Sequence, residues 1–180
     1  IIVFDGATGK YLRHWGAYGK RPEDPPQGPQ GPQGAQGPQG PGGTAAPKIG
    51  EPVPAAPPTQ FRTPHGIAGS RDGLIYLSDR ANNRIQVFRQ NGEFVREKIL
   101  RRRCGAQEKA TWTPKRPCGN EATFSVGFSP DPAQTYIYSA DGGSHFITVL
   151  RRSDREVVSE FGGPGVGPGQ LARPHNLSVD

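Results

Sequence analysis

Short apolar runs separated by turn residues come in groups of four. The group recurs at a spacing of 62 residues, and a Pro-His pair recurs at a spacing of 110 (Pro64-His65, then Pro174-His175). Together these features predict an all-β chain of the β-propeller class. One four-stranded meander cannot bury both of its faces, and stacking several radially around an axis solves that. A single open sandwich would explain the strands but not the four-strand repeat.

Residues 1–20, "IIVFDGATGKYLRHWG" and beyond, read as the second half of a blade. Val3-Phe4 matches Val87-Phe88, and "GATG" plays the part of the turn "QNG" at 90–92. Residues 21–60 are a Pro/Gly-rich insert, in which Gly28, Gly31, Gly34, Gly37, Gly40 and Gly43 fall at every third position, the collagen period. So few triplets would lose more chain entropy than they gain. The insert is therefore expected to be disordered rather than triple-helical.

Residues 61–100 form a whole blade. Its four runs are "GIAGS", "LIYLSD", "RIQVFR" and "EFVREKIL". Asp72-Gly73 and Asn91-Gly92 lie between them, and such pairs accept the positive φ of tight turns. Residues 101–122 are a basic loop bracketed by Cys104 and Cys118. Residues 123–170 are a second blade with its junction, running through "TFSVGFS", "TYIYSAD", "HFITVLRR" and "REVVSEFGG". Asp141 answers to Asp79 and Val149-Leu150 to Val87-Phe88, each 62 residues on. A shortened offset of 59 at the start of the unit places Phe124 where His65 stands. Residues 171–180 read as the first strand of a further blade, with Leu171 and Leu177 matching Phe61 and Ile67.

The 180-residue chain has no Met, and both ends look like strand interiors, so it is expected to be a piece of a longer one. Its net charge of +6 is local. Segment 96–116 holds eight of the 22 basic residues against two of the 16 acidic ones. That argues against a nucleic-acid surface spread over the molecule. No run is long and apolar enough to predict a membrane span. Cys104 and Cys118 lack the paired close spacing of a zinc ribbon. A disulfide between them would close a loop of about 15 residues and fit an extracytoplasmic compartment; two free thiols are the alternative.

The stretch "PHGIAGSRDGLIYLSDRANNRIQVF", residues 64–88, and the junction "FGGPGVGPGQLARPHNLSVD", residues 161–180, resemble the NHL-repeat propellers. The resemblance implies six blades, of which this chain holds about two whole and two partial ones. It also implies a scaffold that binds a protein, peptide or glycan through its loops and channel mouth.

In a propeller the first strand of each blade lines the channel, so His65 and His175 would stand two blades apart, about 120° around a six-fold ring. With a third histidine they would form a zinc cage with an open position. Alternatively, each ring satisfies a backbone carbonyl at a strand start. The zinc arrangement is similar to the peptidyl-α-hydroxyglycine α-amidating lyases, themselves NHL-like propellers. That resemblance implies that His65 and His175 are zinc ligands and that the activity is a zinc-dependent carbon–nitrogen lyase. The channel tyrosine of those enzymes would follow an Asp-Gly on the middle blade. Here the position reads Asp141-Gly142-Gly143, so no catalytic residue is named. Asp79, Arg80 and Asp141 read as turn holders.

Overall fold

The computed structural model describes residues 1–22, 58–100 and 121–180. The collagen-period triplets of 27–43 and the Cys104–Cys118 pair lie outside the described residues.

Ten strands are described; within each sheet they follow one another through short turns, one of them a 3₁₀ turn at Arg80–Asn82, and a second 3₁₀ turn at Ala17–Gly19 follows the first two strands. β1 (Ile2–Phe4) and β2 (Tyr11–His14) make an antiparallel hairpin. β3 (Pro64–Gly69), β4 (Leu74–Asp79), β5 (Arg84–Arg89) and β6 (Phe94–Ile99) make one four-stranded antiparallel meander. β7 (Ser125–Phe128), β8 (Tyr136–Asp141), β9 (Phe146–Arg151) and β10 (Val157–Gly162) make a second.

The turn chemistry operates as the sequence implies. Gly73 and Gly92 take φ of 80° and 94°, which a side chain would resist. Asn83 and His145, 62 residues apart, both adopt left-handed backbone (φ 55° and 67°), so the middle turn of each sheet is built alike.

Period-2 alternation buries both faces of the first sheet. Along β4, Ile75 and Leu77 face one side and join Trp15, Val3, Phe88 and Phe94. Tyr76 faces the other and joins Ile85 and Val87 against Val126, Ile137 and Leu150 of the second sheet. This sheet is thus covered by the β1–β2 hairpin on one side and by β7–β10 on the other.

The two sheets meet closest at their first strands. A Cβ on Gly66 would lie 2.6 Å from the Phe124 carbonyl oxygen and 2.9 Å from the Ser125 Cα. At the far end of these strands Arg152 clips the sheets together. It donates to the Tyr76 hydroxyl (3.0 Å) and the Ala133 carbonyl (3.0 Å) and pairs with Asp72.

One expectation needs correction. Residues 174–180 form no strand, and Leu171 makes only an isolated parallel bridge to Pro164. A strand exists through its ladder, and no described residue pairs with this segment. It nonetheless occupies the first-strand place beside β7, where a Cβ on Gly127 would lie 2.5 Å from Leu177 Cδ1.

Candidate functional site at the ends of the first strands

Strand register shows why His65, Phe124 and His175 come together. Gly66 pairs with Ser78 in the first sheet, and Ser125 with Ala140 in the second. Ser78 and Ala140 are 62 apart, whereas Gly66 and Ser125 are 59 apart, so His65 and Phe124 are equivalent. His175 follows from the 110-residue repeat of the Pro-His frame.

The three rings form a triangle. Centroids are 4.8 Å apart for His65–Phe124, 4.8 Å for His65–His175 and 4.7 Å for Phe124–His175. The two histidines therefore touch, rather than facing one another across an open channel. His65 Nδ1 lies 2.8 Å from the Phe124 carbonyl oxygen. A carbonyl can only accept, so Nδ1 carries the proton, and Nε2 of the neutral ring keeps its lone pair.

Thr63 and Arg173 each precede the proline of their frame and adopt φ of 53° and 57°. A β-branched residue in this region is strained, and the strain sits next to the ring it positions. His145 helps to hold the incoming segment, its Nδ1 lying 2.9 Å from the Arg173 backbone N–H.

Two arginines and a glutamate complete the cluster. The Arg80 guanidinium lies over the Phe124 ring at 4.4 Å, and that of Arg173 at 5.7 Å. Glu121 joins them, with one carboxylate oxygen to each. Burial pushes the Glu121 carboxyl up, but the two guanidiniums outweigh it and hold it below its ordinary value. Phe124 is fully buried, whereas His175 and Arg173 are exposed, so the cluster opens to solvent on that side.

Asp79 and Asp141 hold turns, as their place in the repeat implies. Asp79 pairs with Arg84 at 2.8 Å, both side chains wholly buried. It also accepts from the Arg62 backbone N–H and from Asn82 Nδ2. Burial pushes its carboxyl up from the ordinary value, against those donors. Asp141 accepts the N–H groups of Gly143 and Ser144. Arg80 is not a mere turn residue, because its side chain leaves the turn for Phe124 and Glu121. From the sequence Arg80 reads only as a turn holder, Arg173 is marked only by its place in the Pro-His frame, and nothing local marks Glu121.

A zinc site needs three or four donors. His65 and His175 are two imidazoles in contact. Among the described residues no group of three or more His, Cys, Asp or Glu side chains could hold a metal.

Residues 61–88 match the family model of the NHL repeat. The match supports the NHL-repeat family. With the two antiparallel meanders, it identifies the fold as all-β and of the β-propeller type.

Proposed function

We propose that this chain belongs to a six-bladed NHL propeller that acts as an interaction scaffold and takes its partner at the channel mouth. The observation that carries the reading is the aromatic–arginine cluster of His65, Phe124 and His175 with Arg80 and Arg173. Aromatic rings and arginines dominate recognition hot spots, because they bring large contact area and directional donors at low entropic cost. The partner class is a protein segment, peptide or glycan. No described helix is long and apolar enough to cross a membrane.

The test is binding of arrayed peptides and glycans by the full-length protein, its His175→Ala variant and its Arg173→Ala variant. Ligands captured by the wild type should lose about tenfold or more in affinity in both variants. Undiminished binding in both would place the interaction elsewhere.

A second reading is favoured by one specific observation. The Phe124 carbonyl fixes His65 in the tautomer whose Nε2 is free, the arrangement that orients metal-ligating imidazoles. In that reading His65 and His175 hold zinc, and the third donor comes from outside the described residues. The metal would supply Lewis-acid chemistry for an amidating-lyase type of reaction. Elemental analysis of the full-length protein decides it: zinc in the wild type should disappear in both His65→Ala and His175→Ala. A wild type free of zinc ends this reading.

A disulfide between Cys104 and Cys118, expected from the sequence, would support a place outside the cytoplasm. Alkylation of the secreted protein without reductant should leave both thiols blocked, and two alkylated cysteines would refute both the bridge and this placement.

A further inference from the structure

The end of the sheets opposite His65 carries a second concave site. A cleft of about 280 Å³ lies between the two sheets, where the β3–β4, β7–β8 and β9–β10 turns converge. Its walls include Arg96, Arg151, Arg152, Asp72, Thr135 and Ser153. Three guanidiniums thus line one cavity, and their states differ. Arg152 is neutralised by Asp72, and Arg151 by Asp154 at 2.6 Å. Among the described residues Arg96 pairs with no carboxylate, and its Nε, shut off from solvent, has no hydrogen-bond partner.

The repeat provides an internal comparison. Val3 pairs with Arg13 across β1–β2, and Val87 pairs with Arg96 across β5–β6, so Arg13 and Arg96 are equivalent positions. Arg13 lines the corresponding cleft between the hairpin and the first sheet. There its Nε and Nη2 donate to the Gln90 carbonyl at 3.0 and 2.7 Å. The first junction thus supplies its arginine with an acceptor from the protein. The second leaves the Arg96 guanidinium without one among the described residues; its Nε is shut off from solvent, so an acceptor in the cleft would meet the terminal nitrogens of this permanently charged group.

We infer that this inter-sheet cleft binds a small solute through a tetrahedral oxyanion, a phosphate or sulfate group, with Arg96 as its principal donor. A guanidinium presents a planar fork of donors that matches such an anion. Arg151 and Arg152, each paired with its own carboxylate, line the walls without adding net charge, so the charge that meets the anion is that of Arg96. Ser153 offers a hydroxyl, whereas that of Thr135 is already donated to Asp131. The cleft is at the small end of ligand sites, which run from about 300 to 1,000 Å³, so the group it takes is free or carried on something the size of a monosaccharide.

The experiment is a titration of the full chain with inorganic phosphate, sulfate and a sugar phosphate, each against chloride at matched ionic strength. The readout is the arginine Nε–Hε region of a ¹H–¹⁵N spectrum, in which Arg96→Lys assigns the Arg96 signal by deleting it. A saturable shift of that signal beyond the chloride control is expected. Affinity measured by calorimetry should fall about tenfold or more in Arg96→Gln, the loss implied by one charge-assisted hydrogen bond. Tighter binding of the sugar phosphate than of either free ion would identify an ester as the ligand, and the reverse order a free anion. No saturable shift with any of the three, or equal affinity in wild type and Arg96→Gln, overturns the inference. Arg96→Lys keeps the charge on the strand, so a loss seen in Gln and also in Lys, with unchanged circular dichroism, reports the missing donor rather than unfolding.

Discussion

The least replaceable residue contact is the Asp79–Arg84 pair, because neither side chain reaches water. Removing one member of a buried pair strands the other's charge and typically costs about 3–5 kcal/mol. Arg84 would keep the Tyr18 hydroxyl, Glu97 and the Gln60 carbonyl as partners. Asp79→Ala should therefore fall at the lower end, about 3 kcal/mol, read from denaturant melts. A loss below about 1 kcal/mol would show that the remaining partners carry the charge alone. Glu121 gives a pH prediction. Its folded value lies below the ordinary 4.5, so its contribution to stability is present above that value and is lost as pH falls through the lower, folded one. A ¹³C carboxyl titration should give a midpoint below 4.5, and Arg80→Ala should move it upward. A midpoint at or above the ordinary value in the wild type would contradict the Arg80–Glu121–Arg173 cluster.

At the scale of elements, the contact between β3 and β7 depends on the absence of a side chain. A Cβ on Gly66 would meet backbone atoms, which cannot swing aside as a flexible side chain can. Gly66→Ala should push the two first strands apart at a cost of about 1–3 kcal/mol, as overpacking does. It should also disturb the His65 bond to the Phe124 carbonyl, visible as a shift of the His65 ring signals. Gly69, in the same strand, has open space at its Cβ position, so Gly69→Ala is the control and should be near neutral. Equal effects of the two substitutions would argue against close packing of the first strands. The Arg152 clip closes the other end of this contact, its bonds to Tyr76 and Asp72 joining the second sheet to the first while its bond to Ala133 anchors it in its own sheet.

At the scale of the whole molecule, burial is uneven in a way that follows from stacking. The first sheet is covered on both faces, so β5 is buried from Arg84 to Phe88. The outer strand β10 leaves Val157, Val158 and Phe161 about half exposed (45%, 41% and 53%), as does the hairpin with Ile2, Phe4, Tyr11 and Leu12. Apolar surface of this kind is what a propeller covers with its neighbouring blades. Addition of flanking blades should therefore raise the melting temperature and remove binding of a hydrophobic dye. Unchanged dye binding in the longer protein would show that these strands face something other than a blade.

Much of this was legible in the sequence, because the information is local and periodic. Alternation along "LIYLSD" and "RIQVF" fixed which residues face which side. Asp-Gly and Asn-Gly place the turns, and the 62- and 59-residue offsets by themselves make Phe124 the equivalent of His65. What tertiary structure alone decided lies between sheets. The closeness of three rings, the reach of Arg80 and Arg173 to Phe124 and Glu121, and the orphaned Nε of Arg96 depend on how far one sheet is twisted and shifted against the next. Side-chain period within a strand carries no record of that shift. The segment at 174–180 shows the same division: its pattern reads as a strand, but a ladder needs a partner, and partnership is a property of the fold rather than of the segment.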